Sequence, residues 1–389
     1  MKRKQYQDFW APILLCLMIM GVSYRIVILH MMIPGTDFYY HAIDAIGIFQ
    51  NGAFGVIKKF PYPIWHLGVK FFERVVHLNL FNSAAIMTAL IYGVTYLIIF
   101  FFVKNNLQSR YSMKWFALLS MIVMVIQPIS YQGITVGTDF GRPIFNTWHN
   151  PTNIVARMFG IVAFFLFVNI IDTSNQVITN KIKQYIAFSI ALCLANLGKP
   201  TFSQIFIPTI TIYCIIYCIV SKFSKFEVCL KIAISTIPSM IILGVQFWAT
   251  LYEKGEGIEI AWFEVMNYSG KNNPLVILGT LAFPLFTSVA YFSDYIKDKK
   301  VVCAWIMYAI SFLEFAAFAE RGRRRYHGNF GWGYAIAVFV LQMVCIIKFM
   351  QIQKGNKWKK AIAIVILLCH IWCGCTYLYL QLSGIGLWY

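Results

Sequence analysis

FWAPILLCLMIMGVSYRIVILHMM, residues 9–32, runs directly into IPGTDFYYH, residues 33–41, and this junction decides the class of the chain. About 20 apolar residues cross a bilayer as a helix, and Arg25 is the one charged side chain in the first stretch. Lys2, Arg3 and Lys4 precede it, while Asp37 and His41 follow it. Basic residues hold their end of a span in the cytoplasm. The chain therefore reads as starting inside and delivering Asp37 to the outer surface. The run is too long for the apolar core of a cleavable signal, and no small-residue cleavage site follows, so it is expected to stay as a span.

Ten more apolar runs follow, at 82–103, 115–133, 152–172, 185–198, 201–220, 230–251, 275–294, 301–318, 332–350 and 361–380, which gives about eleven transmembrane helices. The run at 185–198 is short and ends at Gly198-Lys199-Pro200, where proline removes a donor and clashes with the preceding turn. With the N-terminus inside, the inner loops carry Lys104, Arg110, Lys114, Lys181, Lys183, Lys222, Lys225, Lys231, Lys297, Lys299, Lys300, Lys354, Lys357, Lys359 and Lys360, and the C-terminus falls outside. Lys58, Lys59, Lys70, Arg74, Lys254 and Lys271 are outer exceptions, the first four of them in a long loop, where the charge rule weakens. The expected fold is all-α and polytopic, a single membrane domain over 1–389.

Composition agrees with this reading. The chain is 59% apolar and 12% charged, unlike a soluble globule or a disordered chain. The net charge of +18 is spread over loops as a topology signal, not gathered on one face as nucleic-acid binding requires, so no nucleic-acid partner is expected. All ten cysteines lie in or beside apolar runs, so no disulfide framework is implied. Cys369, His370, Cys373 and Cys375 read as small polarizable residues of a membrane helix rather than as metal ligands.

Three outer loops hold the candidate chemistry. In the first, 33–81, Asp37, His41 and Asp44 recur at i, i+4 and i+7 and share one face of a helix. Segment 62–79 sets His66, Lys70, Glu73, Arg74 and His77 against Phe71, Phe72, Val75 and Leu78. Helices of this pattern lie in the membrane interface. The second loop, 134–152, holds Asp139, Arg142 and Trp148-His149-Asn150-Pro151-Thr152, with Asn150 a helix cap and Arg157 two turns into the next span. A charge there needs an anion, a carboxylate or water. The third loop, 319–331, places Glu320, Arg321, Arg323, Arg324, Arg325 and His327 outside, against the charge rule. Guanidinium forks match phosphate, so this loop is a candidate phosphate site. The acidic loop 251–274 reads as a surface cap without chemistry. Together these loops suggest one outward-opening cavity.

The order Gly35-Thr36-Asp37-Phe38-Tyr39-Tyr40-His41, then Ala45, Gly52 and Tyr62-Pro63 opening a second interfacial helix, resembles the GT-C membrane glycosyltransferases over about the first 100 residues. That resemblance implies a sugar donor carried on a polyprenyl phosphate, a glycan or lipid acceptor, and a catalytic Asp early in the first outer loop, which is Asp37 here. Phe38 stands where many members carry a second acid, and no Asp-x-Asp occurs. The resemblance is thus to the metal-independent kind, with no cofactor expected.

On this reading Asp37 is the general base in a single inverting displacement. Arg321, Arg323, Arg324 and Arg325, with Arg157 or Lys199, hold the departing phosphate. His41 orients the base or touches the acceptor. Glu320 and Asp139 bind sugar hydroxyls, and His149 and His327 complete the candidate substrate contacts. Trp65 and Trp148 offer faces for a sugar, or anchors at the interface. The expected location is a bacterial cytoplasmic membrane. Two alternatives stay open: a polysaccharide polymerase of the O-antigen kind, and a transporter or flippase of lipid-linked sugars.

Overall fold

The fold follows from where each apolar run begins and ends. It is seen in a computed structural model that describes residues 10–49, 61–107, 111–130, 148, 150–174, 181–250, 257–269, 274–352 and 355–384. The labelled helices are α1 (Trp10–Met31), α2 (Asp37–Ile46), α3 (Ile64–Arg74), α4 (Leu80–Leu107), α5 (Met113–Val125), α6 (Pro151–Asp172), α7 (Lys181–Gly198), α8 (Thr201–Val220), α9 (Phe226–Thr250), α10 (Pro274–Ala290), α11 (Lys299–Ala317), α12 (Gly331–Gln351) and α13 (Lys357–Ser383). Among the described residues eight of these, α1, α4, α6, α8, α9, α11, α12 and α13, are long and apolar enough to cross a membrane, and α5, α7 and α10 are shorter apolar helices. The chain is an all-α multi-pass membrane protein. Two three-residue strands, β1 (Ile258–Ile260) and β2 (Phe318–Glu320), pair antiparallel with Glu259 opposite Ala319.

α12 forms the axis of the bundle and is buried along nearly all its length. α1 lies along α4, α6 along α7, and α11 along α12. Outward faces carry Leu14, Leu17, Phe101, Ile216, Ile241 and Leu368, all exposed apolar residues that suit contact with lipid. Pro208 and Pro238 interrupt α8 and α9. Such prolines are tolerated in membrane helices when neighbouring side chains restore hydrogen bonding.

Hydrogen bonds sort the loops onto two ends. One end gathers Tyr111 with Met350, Gln351 with Asn106, Ser174 with Tyr217, and Lys299 with both Ile171 and Asp172. The other gathers His30 with Gln381, Asp37 with Asn150, and Gln246 with Pro61 and Asn196. The first end carries the lysine-rich loops and the second carries the candidate chemistry.

Two local results differ from the sequence reading. The expected span over 115–133 is helical only to Val125. It then runs extended between α10 and α13, where Ile129 N–H donates to the carbonyl of Gly279 at 3.1 Å and Gln127 N–H to that of His370 at 3.3 Å. His370 Nδ1 also meets the Gln127 carbonyl at 2.7 Å. Non-helical backbone survives at membrane depth only when protein groups satisfy it in this way. The residue before a proline avoids the helical region, and Pro128 marks the place. The second difference concerns α3. Its polar residues His66 and Lys70 are buried against the protein, Lys70 paired with Glu73 at 2.7 Å, while Phe71 and Val75 face outward. The helix is amphipathic as expected, but its apolar side meets the surroundings, as suits a helix lying in a lipid interface.

The extended segment packs directly on two glycines. A Cβ added at Gly279 would collide with the carbonyl oxygen of Ile129, and one added at Gly374 with that of Val125. The Gly374→Val substitution should therefore force the segment and α13 apart and cost about 1–3 kcal/mol, as overpacking of a tight core does. A thermal-unfolding midpoint in detergent that stays within a degree of the parent would contradict this packing.

Candidate functional site

The site assembles from four chain segments at one end of the bundle. Asp37 begins α2, and Thr36 caps it, its Oγ1 accepting from the backbone N–H of Tyr39 at 3.3 Å. A carboxylate at a helix N-terminus is favoured by the exposed N–H groups there. Asp37 is half-buried, and Asn150 Nδ2 donates to its Oδ2 at 2.8 Å. Asn150 in turn caps α6: its Oδ1 accepts from the backbone N–H of Asn153 at 2.9 Å and from Thr152 Oγ1 at 2.8 Å. These two acceptor bonds fix which way the amide points, so the NH2 group is the part presented to Asp37.

Lys199 stands in the two-residue break between α7 and α8. Gly198 packs so closely on the backbone of α6 at Ala156 that a side chain there would displace it, and this holds Lys199 at the end of both helices. Lys199 is 7% exposed, and its Nζ lies 4.9 Å from the ring centroid of Trp332. Burial is the main cause that brings its ammonium pKa down to about 8. Asp37 and Glu320 oppose the fall and Arg324 adds to it. The same groups act on Tyr62, just before α3. Burial raises its hydroxyl pKa, Arg324 lowers it, and Glu320, Asp37 and Asp44 raise it further. The first-loop carboxylate, the α7–α8 lysine and one guanidinium of the third loop thus share one electrostatic neighbourhood.

A cavity of about 480 Å³ opens beside them. Tyr62, Lys199, Gln246, Glu320, Arg324 and Asn329 supply its polar walls, and residues of α8 and α9 supply the apolar ones. Arg324 Nε lies 3.2 Å from Glu320 Oε2, which also accepts from Asn329 Nδ2 at 2.6 Å. Gln246 Nε2 donates to the carbonyls of Pro61 at 2.8 Å and Asn196 at 2.6 Å, leaving its buried Oε1 without a partner among the described residues.

The other arginines of the third loop face a different partner. Arg325 holds Glu264 with two bonds of 2.7 Å and also pairs with Glu259, while Arg321 Nε lies 3.4 Å from Glu259. Tyr326 donates to Glu264 at 2.8 Å. The acidic loop, read from sequence as having no chemistry, is the countercharge that fastens β1 to β2. His327 is exposed and does not line the cavity. The side chain of Arg323, together with Asp139 and His149, lies outside the described residues.

His41 meets His66 ring to ring, Nδ1 to Nε2 at 3.0 Å, and so joins α2 to α3. Burial first, and His41 second, push the His66 pKa down to about 3, so His66 is neutral at ordinary pH. Arg157 lies deeper, 4% exposed, with its guanidinium 5.5 Å from the ring of Tyr92 and 4.9 Å from that of Phe339. Among the described residues no carboxylate lies within ion-pair distance of it. Trp65 and Trp148 are neither sugar platforms nor interfacial anchors. Trp65 is fully buried and donates to Thr88, and Trp148 stacks on Tyr92 at 4.3 Å. Among the described residues no three His, Cys, Asp or Glu side chains are grouped to hold a metal ion.

Sequence reasoning saw Asn150 as a cap without naming Asp37 as its partner, and it gave no role to Gln246, Asn329 or Trp332. Tyr62 was visible as part of Tyr62-Pro63, although nothing in the sequence gave it a role.

No family model matches this chain, and comparisons with curated proteins and with solved structures find no match either.

Lys199 is charged below its pKa of about 8 and neutral above it, so an anion in this cavity should bind less well as pH rises through 8. Isotope-labelled reductive methylation followed by NMR titration should show one lysine signal with a midpoint near 8, absent from Lys199→Arg. A Lys199 midpoint above 10 would contradict the burial described.

Proposed function

We propose that the protein is a membrane glycosyltransferase resembling the GT-C kind, which takes a sugar from a polyprenyl phosphate and passes it to a glycan or lipid acceptor on the outer face of a cell membrane. One observation supports this above the others: the charges of Asp37, Lys199, Glu320 and Arg324 converge around Tyr62 beside a single cavity. The lysine-rich loops at the opposite end favour placing that end in the cytoplasm and counting α5, α7 and α10 as spans, eleven in all.

Asp37 takes the proton of the acceptor hydroxyl as that oxygen attacks the anomeric carbon. The bond from that carbon to the phosphate oxygen breaks, and the lipid phosphate leaves with the electron pair. Asn150 holds the carboxylate by donating to its Oδ2. Arg324 and Lys199 stabilise the departing phosphate, which is where charge grows in the transition state. The ammonium is the less occupied of the two, because Arg324 already shares Glu320. Glu320 accepts from sugar hydroxyls.

A transporter of lipid-linked sugars is the second reading, favoured by the broken helix at Val125, since carriers use discontinuous helices near the midplane. Here the freed backbone is taken up by Gly279 and His370, which leaves it unavailable to a substrate. Movement of a lipid-linked sugar across liposomes without transfer to an acceptor would decide for that reading.

The Asp37→Asn variant should insert normally and lose transfer by roughly 10²–10⁴-fold, the range for removal of a general base. Full activity of that variant in a reconstituted assay would sink the assignment. The Lys199→Ala, Arg324→Ala double variant should weaken donor binding by at least about tenfold, whereas Arg325→Ala should lower thermal stability and leave donor binding near the parent value. Equal loss of donor binding in both would contradict the division of roles among these cations.

A further inference from the structure

We propose that the cleft between α8 and α9 is the seat of one long hydrocarbon chain, whose phosphate lies at Lys199 and Arg324 and whose tail extends past the midplane toward the opposite end of the bundle. The choice of an isoprenoid rather than another single chain rests on the function proposed above.

The cleft has a charged end and an apolar length. Below Lys199 and Arg324 the cavity is walled by Ile207 and Pro208 of α8 and by Met240, Leu243 and Phe247 of α9. Ile207 and Met240 also border a second cavity of about 560 Å³, which continues between the same two helices past Ile215 and Cys218 to Leu230. The two cavities therefore form one path down the α8–α9 boundary. No charged side chain lines the lower part. At about 1.5 Å per residue, α8 from Thr201 to Cys218 is on the order of 25 Å long. Half the hydrocarbon core of a bilayer is only about 15 Å. A lipid whose head sits at Lys199 thus fills the path only if its tail is longer than one leaflet is deep. The chains of an ordinary two-chain phospholipid are too short to fill it.

Charge selects the head. Lys199 has an ammonium with no carboxylate in ion-pair reach among the described residues, so an anion at this end restores what burial took away. Gly244 faces the upper cavity, and a Cβ built on it meets nothing within 4 Å, so the cleft is open at that height. A third cavity, about 610 Å³, branches between α8 and α11, but the Glu314 carboxyl lies in its wall beside Leu313 and Trp262, and it stops at Ile310. A carboxyl in the wall makes that branch the poorer seat for a hydrocarbon chain.

The test is binding, with no sugar present. Purified full-length protein in nanodiscs is titrated with farnesyl phosphate, whose fifteen carbons end in the upper cleft, with undecaprenyl phosphate, and with dioleoyl phosphatidic acid. The long chain should bind at least roughly tenfold tighter than the short one, and the two-chain lipid no better than the short one. Ile215→Trp, at a lipid-exposed position lining the lower cleft, should bring the long chain down to the short chain's affinity and leave the short chain unchanged. Gly244→Phe should weaken both chains. Equal affinity for all three lipids, or an Ile215→Trp protein of parental thermal stability that keeps the long-chain preference, would overturn the proposal. Should Ile215→Trp fail to fold, the three-lipid series on the parent and Gly244→Phe still decide it. Sugar transfer by a protein that binds all chain lengths equally would refute the cleft and leave the enzyme standing. Long-chain preference without any transfer would do the reverse.

Discussion

Hydrocarbon offers no partner to an amide or an ion, and an unsatisfied polar group within it costs several kcal/mol. That constraint explains why the described chain is helical nearly throughout, and also how it departs from helix after Val125. The strand-like stretch after Val125 is accepted because α10 and α13 each present a glycine and a backbone carbonyl to it. The same constraint drives ionisable side chains toward the two ends, where loops and interfacial helices can surround them. Arg157, the exception among the candidate residues, is received by two aromatic faces.

At the site end, opposite charges have been divided into two groups. Glu259 and Glu264 take Arg321 and Arg325, and this pairing closes the small sheet over the bundle. Glu320 takes part of Arg324, and among the described residues the Lys199 ammonium meets the ring of Trp332 and no carboxylate within ion-pair distance. Among the described residues the positive charge lining the cavity is therefore one guanidinium half in use and one ammonium under desolvation. Asn150 helps to position Asp37 through its side-chain amide.

The long spans were legible because about 20 apolar residues have few other destinations, and alternating lysines labelled their ends. The break at Gly198-Lys199-Pro200 was legible from proline. The break after Val125 carried the same signal in Pro128, masked by the apolar residues on both sides of it. The amphipathic pattern of α3 was visible, but not which face the protein would cover, because periodicity gives two sides and no direction. Density of charge marked 321–325 as unusual. It could not show that Glu264 lies against Arg325, 61 positions away in sequence. Nor could it show that Asn150 meets Asp37 across 113. Local rules name the residues of a site, and long-range packing assigns their partners.

Chain order adds a consequence to the pairing that closes the sheet. Glu259 and Glu264 come before α10 and α11, and Arg321 and Arg325 come after them. Proteins emerge from the ribosome N-terminus first, so the carboxylates are already at their side of the bilayer while the guanidinium-bearing segment is still being made. Each arginine that arrives finds a counterion waiting. The sequence can thereby carry a dense basic loop at the end of the bundle opposite its lysines without leaving that charge exposed during biogenesis.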